Sequence, residues 1–237
     1  MTNLQRNLFI SLLFFFAWTQ LIFGQQGKNY PNFDHKKIHF GFALGVNTAD
    51  FRYTLNLDST SNDSITGITI RKQPGFNLGI ISSWNIHETL SLRFVPSLSF
   101  QERLFQYTYI NKNVKKIAET RLESTTLDFP LMLKLRTKRL TNFAAYAIGG
   151  MQYSLDLASQ KDVDQSLGDP IVKMQQHDFA YQVGGGFDFW MPYFKFAIEL
   201  KISNGIKNVI IQDNTFFMDP LGSLKTKVWW FSITFEG

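Results

Sequence analysis

Cysteine is missing from all 237 residues. That excludes disulfides, thiolate metal sites, cysteine nucleophiles and a lipidated cysteine behind a leader. Charge is scarce, at 18% of residues, and histidine is confined to His35, His39, His87 and His177. These four show no metal-ligand spacing, and no serine stands in a glycine elbow, so motifs for metal-assisted or nucleophilic catalysis are lacking. The net charge of +5 comes from basic residues scattered in twos and threes, as at Lys36-Lys37, Lys115-Lys116 and Lys138-Arg139. Nucleic-acid binding calls for a basic helix or an aromatic-basic motif, and neither is present. The loop lysines are either solvated or in contact with anionic lipid headgroups. Gly184 to Gly186 interrupt a strand pattern and open no helix, which argues against a phosphate cradle.

Long apolar runs are also lacking after the first two dozen residues, where a membrane-spanning helix would need about 20. The chain opens "MTNLQRNLFISLLFFFAWTQLIFGQQ". Arg6 supplies a positive start, Leu8 to Trp18 an apolar run, and Gly24 a small residue before Gln25-Gln26. This layout predicts a secretory signal peptide at residues 1–24, cleaved near Gly24, and hence export. Residues 25–36 are then a periplasmic N-terminal segment, and residues 37–237 form the folded domain.

Aromatic residues are plentiful, at 16%, and 24 of them are Phe. Together with frequent glycine this favours strands over helices. Eight segments alternate with the period of two that marks half-buried strands. Lys37 to Asn47 sets Ile38, Phe40, Phe42, Leu44 and Val46 against His39, Gly41, Ala43 and Gly45. Pro74 to Ile86 aligns Phe76, Leu78, Ile80 and Trp84, with Ser82 out of pattern. The third opposes Leu90, Leu92, Phe94, Leu98 and Phe100 to Ser91, Arg93, Val95, Ser97 and Ser99. In "LDFPLMLKLR", Leu127, Phe129, Leu131, Leu133 and Leu135 stand against Asp128, Pro130, Met132, Lys134 and Arg136. Small residues blur the fifth, Asn142 to Leu157. His177 to Trp190, Tyr193 to Ser203 and Lys225 to Glu236 complete the set.

Alternation alone suits a soluble sandwich as well as a membrane barrel; the links separate them. Ile86 to Thr89, Thr137 to Asn142 and Met191-Pro192 are short. Thr48 to Arg71, Tyr109 to Ala118, Ala158 to Gln176 and Gly205 to Leu224 are long and polar. Short and long alternate, as tight periplasmic turns and longer external loops do in an outer-membrane barrel. The expected fold is all-β: an antiparallel up-and-down transmembrane β-barrel of about eight strands in the bacterial outer membrane. Trp84, Trp190 and Tyr193 lie near the short-turn end, where an interfacial aromatic girdle belongs. Pro96 and Pro130 fall inside strands of a ring without free edges, so each is expected to mark a bulge. Gly149-Gly150 leaves the register of the fifth strand open.

Apolar residues would face lipid, and Arg93, Asp128, Lys134, Arg136, Gln182, Asp188, Lys195, Glu199 and Lys201 would point into the barrel. An eight-stranded interior is narrow enough for side chains to fill it, so these form a structural ion-pair plug rather than a transport or catalytic site. A porin would need about twice as many strands. No catalytic, cofactor-binding or metal-binding residue is expected.

Two stretches carry a family likeness. "YPNFDHKKIHFGFALGVNTADF" and "PGFNLGIISSWNIHETLSLRFVPSLSFQER" resemble the PorT family, outer-membrane components of the type IX secretion and gliding machinery of Bacteroidetes. "LDFPLMLKLR" is similar to the broader outer-membrane barrel family of those bacteria, in which proline, two hydrophobic residues and lysine recur in strands. The resemblance implies a non-enzymatic part needed to assemble or operate a protein-export apparatus. It implies other secretion-system proteins as partners beside outer-membrane lipid or lipopolysaccharide, with no small-molecule substrate. The alternatives are a generic small barrel for envelope integrity or for lipid or ligand binding, and a lipid-modifying enzyme.

Overall fold

A computed structural model of the chain describes residues 27–55, 65–111, 114–158, 173–211 and 221–237. The expected signal peptide lies outside the described residues. A 3-10 turn, Pro31–His35, precedes ten strands. These are β1 (Ile38–Leu55), β2 (Ile65–Lys72), β3 (Pro74–Asn85), β4 (Leu90–Phe94), β5 (Ser97–Asn111), β6 (Val114–Arg136), β7 (Phe143–Asp156), β8 (His177–Trp190), β9 (Lys195–Gly205) and β10 (Leu221–Glu236). β2 and β3 are two pieces of one stave, and so are β4 and β5, which leaves eight staves. Each stave pairs antiparallel with the next, and β1 closes the ring by pairing with β10 on one side and β3 on the other. Closure is what hydrocarbon demands, because an unpaired backbone amide there costs several kcal/mol.

The outer surface carries an apolar belt. Ile38 to Val46 on β1, Leu127 to Leu135 on β6 and Trp229 to Phe235 on β10 show every second residue outward, and most of these are large, apolar and exposed. About nine residues per stave at ~3.3 Å each, tilted about 35–45°, span ~21–24 Å, close to a hydrocarbon band of ~25 Å.

Beyond the belt the pattern inverts. On β5 and β6 the outward positions become Glu102, Gln106, Glu119, Arg121 and Glu123, and the inward ones Phe105, Tyr107 and Leu122. With Phe51, Ile68, Met174, Val209, Ile210, Leu221 and Leu224 they form an apolar core inside the barrel's long-loop end. Here the surroundings are water, so the ordinary soluble rule of apolar inside applies.

This inversion corrects the expected loops. Residues 48–55 and 65–71 of the first long link are strand, and β5 and β6 run out to Asn111 and Val114. The link from Tyr109 to Ala118 is therefore a hairpin. Polar outward residues gave these segments a loop-like composition although they alternate.

The prolines are corrected too. Register runs unbroken past Pro96 against both neighbours and past Pro130 against β7, so neither marks a bulge. Pro96 O still accepts from Ile80 N at 3.0 Å and Pro130 O from Val95 N at 3.3 Å, so each proline forfeits only its own donor. The extra residue lies between Lys72 and Phe76, where the register advances between Lys72↔Arg103 and Phe76↔Phe100. Gly149 and Gly150 keep continuous register with both neighbours.

Candidate functional site

The inward positions converge on an ionic network in the half of the lumen nearer the short turns. Arg93 of β4 donates to Glu199 of β9 at 2.7 Å and to Glu236 of β10 at 3.1 Å. Lys195 Nζ reaches the other oxygen of Glu236 at 2.9 Å, and Lys201 Nζ the other oxygen of Glu199 at 2.8 Å. Tyr146 of β7 donates its hydroxyl to Glu199 at 2.8 Å. Lys134 of β6 binds Asp188 of β8 at 2.8 Å and stands 3.6 Å from the centre of the Tyr146 ring. Gly41 of β1 is paired with Glu236, and a Cβ there would run into the Phe235 carbonyl oxygen and Glu236 Cα before the Glu236 side chain, so only glycine fits against the β10 backbone.

A second group lies further up. Asp128 accepts from Gln152 at 2.9 Å, from Ser154 at 2.6 Å and from Thr126 at 3.3 Å, and Gln182 donates to Gln152. Arg103 donates to Gln101 at 2.7 Å and Ser124 at 3.3 Å. Between these groups and the apolar core above them is a cavity of about 50 Å³. It has room for a few waters, at roughly 10–15 Å³ each, and is far below the ~300–1,000 Å³ of small-molecule sites.

The short-turn end is stoppered by the N-terminal segment. Phe33 is buried there, stacked on His39 with ring centres 3.8 Å apart and edge-on to Trp190 at 6.4 Å. Asn29 holds the strap by donating to Asn142 at 2.8 Å and to the Trp190 carbonyl at 3.0 Å. Asp34 bridges Arg136 and Arg139, each at 3.1 Å. Among the described residues the lumen is thus filled in layers: aromatic stopper, ionic network, polar layer, apolar core.

Of the polar residues expected inside, Arg93, Asp128, Lys134, Gln182, Asp188, Lys195, Glu199 and Lys201 are buried in the lumen. Six belong to the ionic network, whereas Asp128 and Gln182 belong to the polar layer. Arg136 stands apart at the short-turn mouth, donating to the Glu88 carbonyl at 2.7 Å. Trp190 is not part of an outer girdle. Its position on β8 has the inward parity of Asp188 and it packs on Phe33, while Trp84 and Tyr193 are exposed outside. Glu236, Tyr146 and Arg103 were missed as members of the interior. Glu236 lay on the polar side of the last strand, but Tyr146 sat in the blurred fifth strand and Arg103 beyond the belt. Among the described residues, no group of three or more His, Asp or Glu could hold a metal ion.

A family model described as "Outer membrane protein beta-barrel domain" matches residues 23–210. The outer membrane protein OprG from Pseudomonas aeruginosa is similar in structure, at 16% identity, covering 85% of this chain and 97% of its own, with a TM-score of 0.49. Neisserial surface protein A is similar at 9% identity, covering 84% of this chain and 96% of its own, with a TM-score of 0.42. Ail of Yersinia pestis, in complex with the heparin analogue sucrose octasulfate, shows 11% identity, 85% and 100% coverage and a TM-score of 0.39. No curated protein matches the chain in sequence.

Proposed function

The chain belongs to the family of outer membrane protein beta-barrel domains, and from that premise we propose that it is a non-enzymatic component of type IX protein secretion, acting through protein contacts in the export and gliding machinery. The observation that carries this reading is the filled lumen. Among the described residues the lumen is packed apart from a cavity of about 50 Å³, too small for a solute path or a substrate inside the barrel. Its outer surfaces and ends are left to do the work. On the long-loop side the β5–β6 hairpin projects past the apolar belt and offers Glu102, Glu119, Arg121 and Glu123 to water. The likeness of Tyr30 to Phe51 and Pro74 to Arg103 to the PorT family supports the choice of machinery.

Deleting the gene tests it. Cargo proteins should accumulate in the periplasm and gliding should stop, with both restored by the full-length gene. Normal secretion in the deletion strain overturns the role. Purification from outer membranes in mild detergent should bring secretion components along, whereas a generic barrel would come out alone. Mass spectra of lipid A should be the same with and without the protein; a changed spectrum would favour a lipid-modifying enzyme.

A further inference from the structure

The short-turn end carries a charge imbalance that neither the plug nor the secretion role uses. Its described residues include Lys28, Lys36, Lys37, Arg136, Lys138 and Arg139, against the carboxylates of Asp34 and Glu88. Within this collar, the N-terminal strap and the turns after β3 and β6 enclose a cleft of about 440 Å³, lined by Lys28, Arg136, Lys138 and Arg139 with Asp34 and Glu88.

Two features make the cleft a built receptor rather than a solvated patch. Its guanidinium groups are fixed in place. Arg139 Nε donates to the Thr141 carbonyl at 2.7 Å, and its guanidinium lies 4.4 Å from the Trp190 ring centre. Arg136 is held by the Glu88 carbonyl and by Asp34. Asp34 is shared by both arginines, so the pair keeps an excess positive charge. Lys28 and Lys138, by contrast, are exposed and make no hydrogen bond or ion pair among the described residues, and they lie on the cleft's wall.

The cleft also lies at the edge of the apolar belt. Ile86, in the turn after β3, and Leu140, in the turn after β6, are exposed apolar residues of the two turns that flank it. A ligand there meets cations in the cleft and exposed apolar side chains on its flanking turns. We propose that this cleft seats the headgroup phosphate of an anionic phospholipid from the leaflet at the short-turn side. Lys28 and Lys138 supply the uncompensated charge, and the acyl chains pass beside Ile86 and Leu140. Clustered basic residues at a membrane interface attract anionic headgroups in this way. The inference goes beyond the secretion role and stands or falls separately from it.

The test is native mass spectrometry of the full-length protein in mild detergent, titrated with phosphatidylglycerol or phosphatidylcholine of the same chains. Wild type should retain phosphatidylglycerol roughly thirtyfold better, as two lysines near a surface warrant. The variant K28E/K138E should lose that preference, and K225E/K227E, at the opposite end of the barrel, should keep it. All four lysines are on the outside, and heat-modifiable gel mobility verifies that each variant is folded. Equal retention of the two lipids by wild type, or an unchanged preference in K28E/K138E, overturns the proposal. Displacement of the lipid by millimolar inorganic phosphate would also overturn it, assigning the cleft to a soluble anion.

Discussion

Arg93 is the side chain on which the interior depends most. It is 1% exposed and bridges two carboxylates on adjacent strands, so its removal leaves both short of a partner. Burying an ion costs several kcal/mol, and only complete pairing offsets it. Arg93→Met is therefore expected to destabilise the folded barrel by about 3–5 kcal/mol, read from urea unfolding in lipid vesicles. Lys201→Met should cost less, roughly 1.5–3 kcal/mol, because Glu199 keeps Arg93 and Tyr146. Equal losses would mean that the network is not centred on Arg93. Much of this cluster was legible in the sequence, since parity on clean strands places Arg93, Glu199 and Lys195 together on the inward side. The specific pairs were not, because parity names a face and says nothing about which rows meet across a lumen.

At the scale of the strand, one rule holds within the belt and its reverse holds above it. β6 crosses the boundary along its 23 residues: Leu127 to Leu135 face lipid, while Glu119, Arg121 and Glu123 keep the same outward parity in water. Leu131, at the centre of the outward row, should accept arginine badly, at a cost of about 2–4 kcal/mol for a charge near the bilayer midplane. Ile117→Arg, on the same face but outside the belt, should be tolerated within about 0.5 kcal/mol. Unfolding free energies of the two variants in the same vesicles measure the contrast; similar costs would place both residues in one environment. The same change of surroundings explains why strand ends were read as loops. A search for apolar stripes facing outward stops where the stripe changes sides, although the alternation of β1 continues through Ala49 and Phe51. Proline misled for a related reason: its missing donor was assumed to require an extra residue, whereas the ladder simply omits one bond.

For the whole molecule, the closed ring and the eight staves followed from the alternation of short and long links, but the stopper did not. Nothing in "NYPNFDHKK" announces that Phe33 turns inward; it is one of two aromatics, with Tyr30, in a polar, irregular segment, and its pocket is made by His39 and Trp190, 6 and 157 residues away. With the stopper, the ionic network and the apolar core in series, no single layer controls the lumen. Purified protein in planar bilayers is thus expected to show no open level under voltage. Phe33→Ala should lower stability by about 3–5 kcal/mol through the cavity it leaves, yet remain electrically silent, because Arg93, Glu199 and Glu236 still fill the next layer. A steady conductance in wild type would refute the filled lumen. A conductance appearing only in Phe33→Ala would show instead that the strap is the single gate and that the ions behind it leave a path.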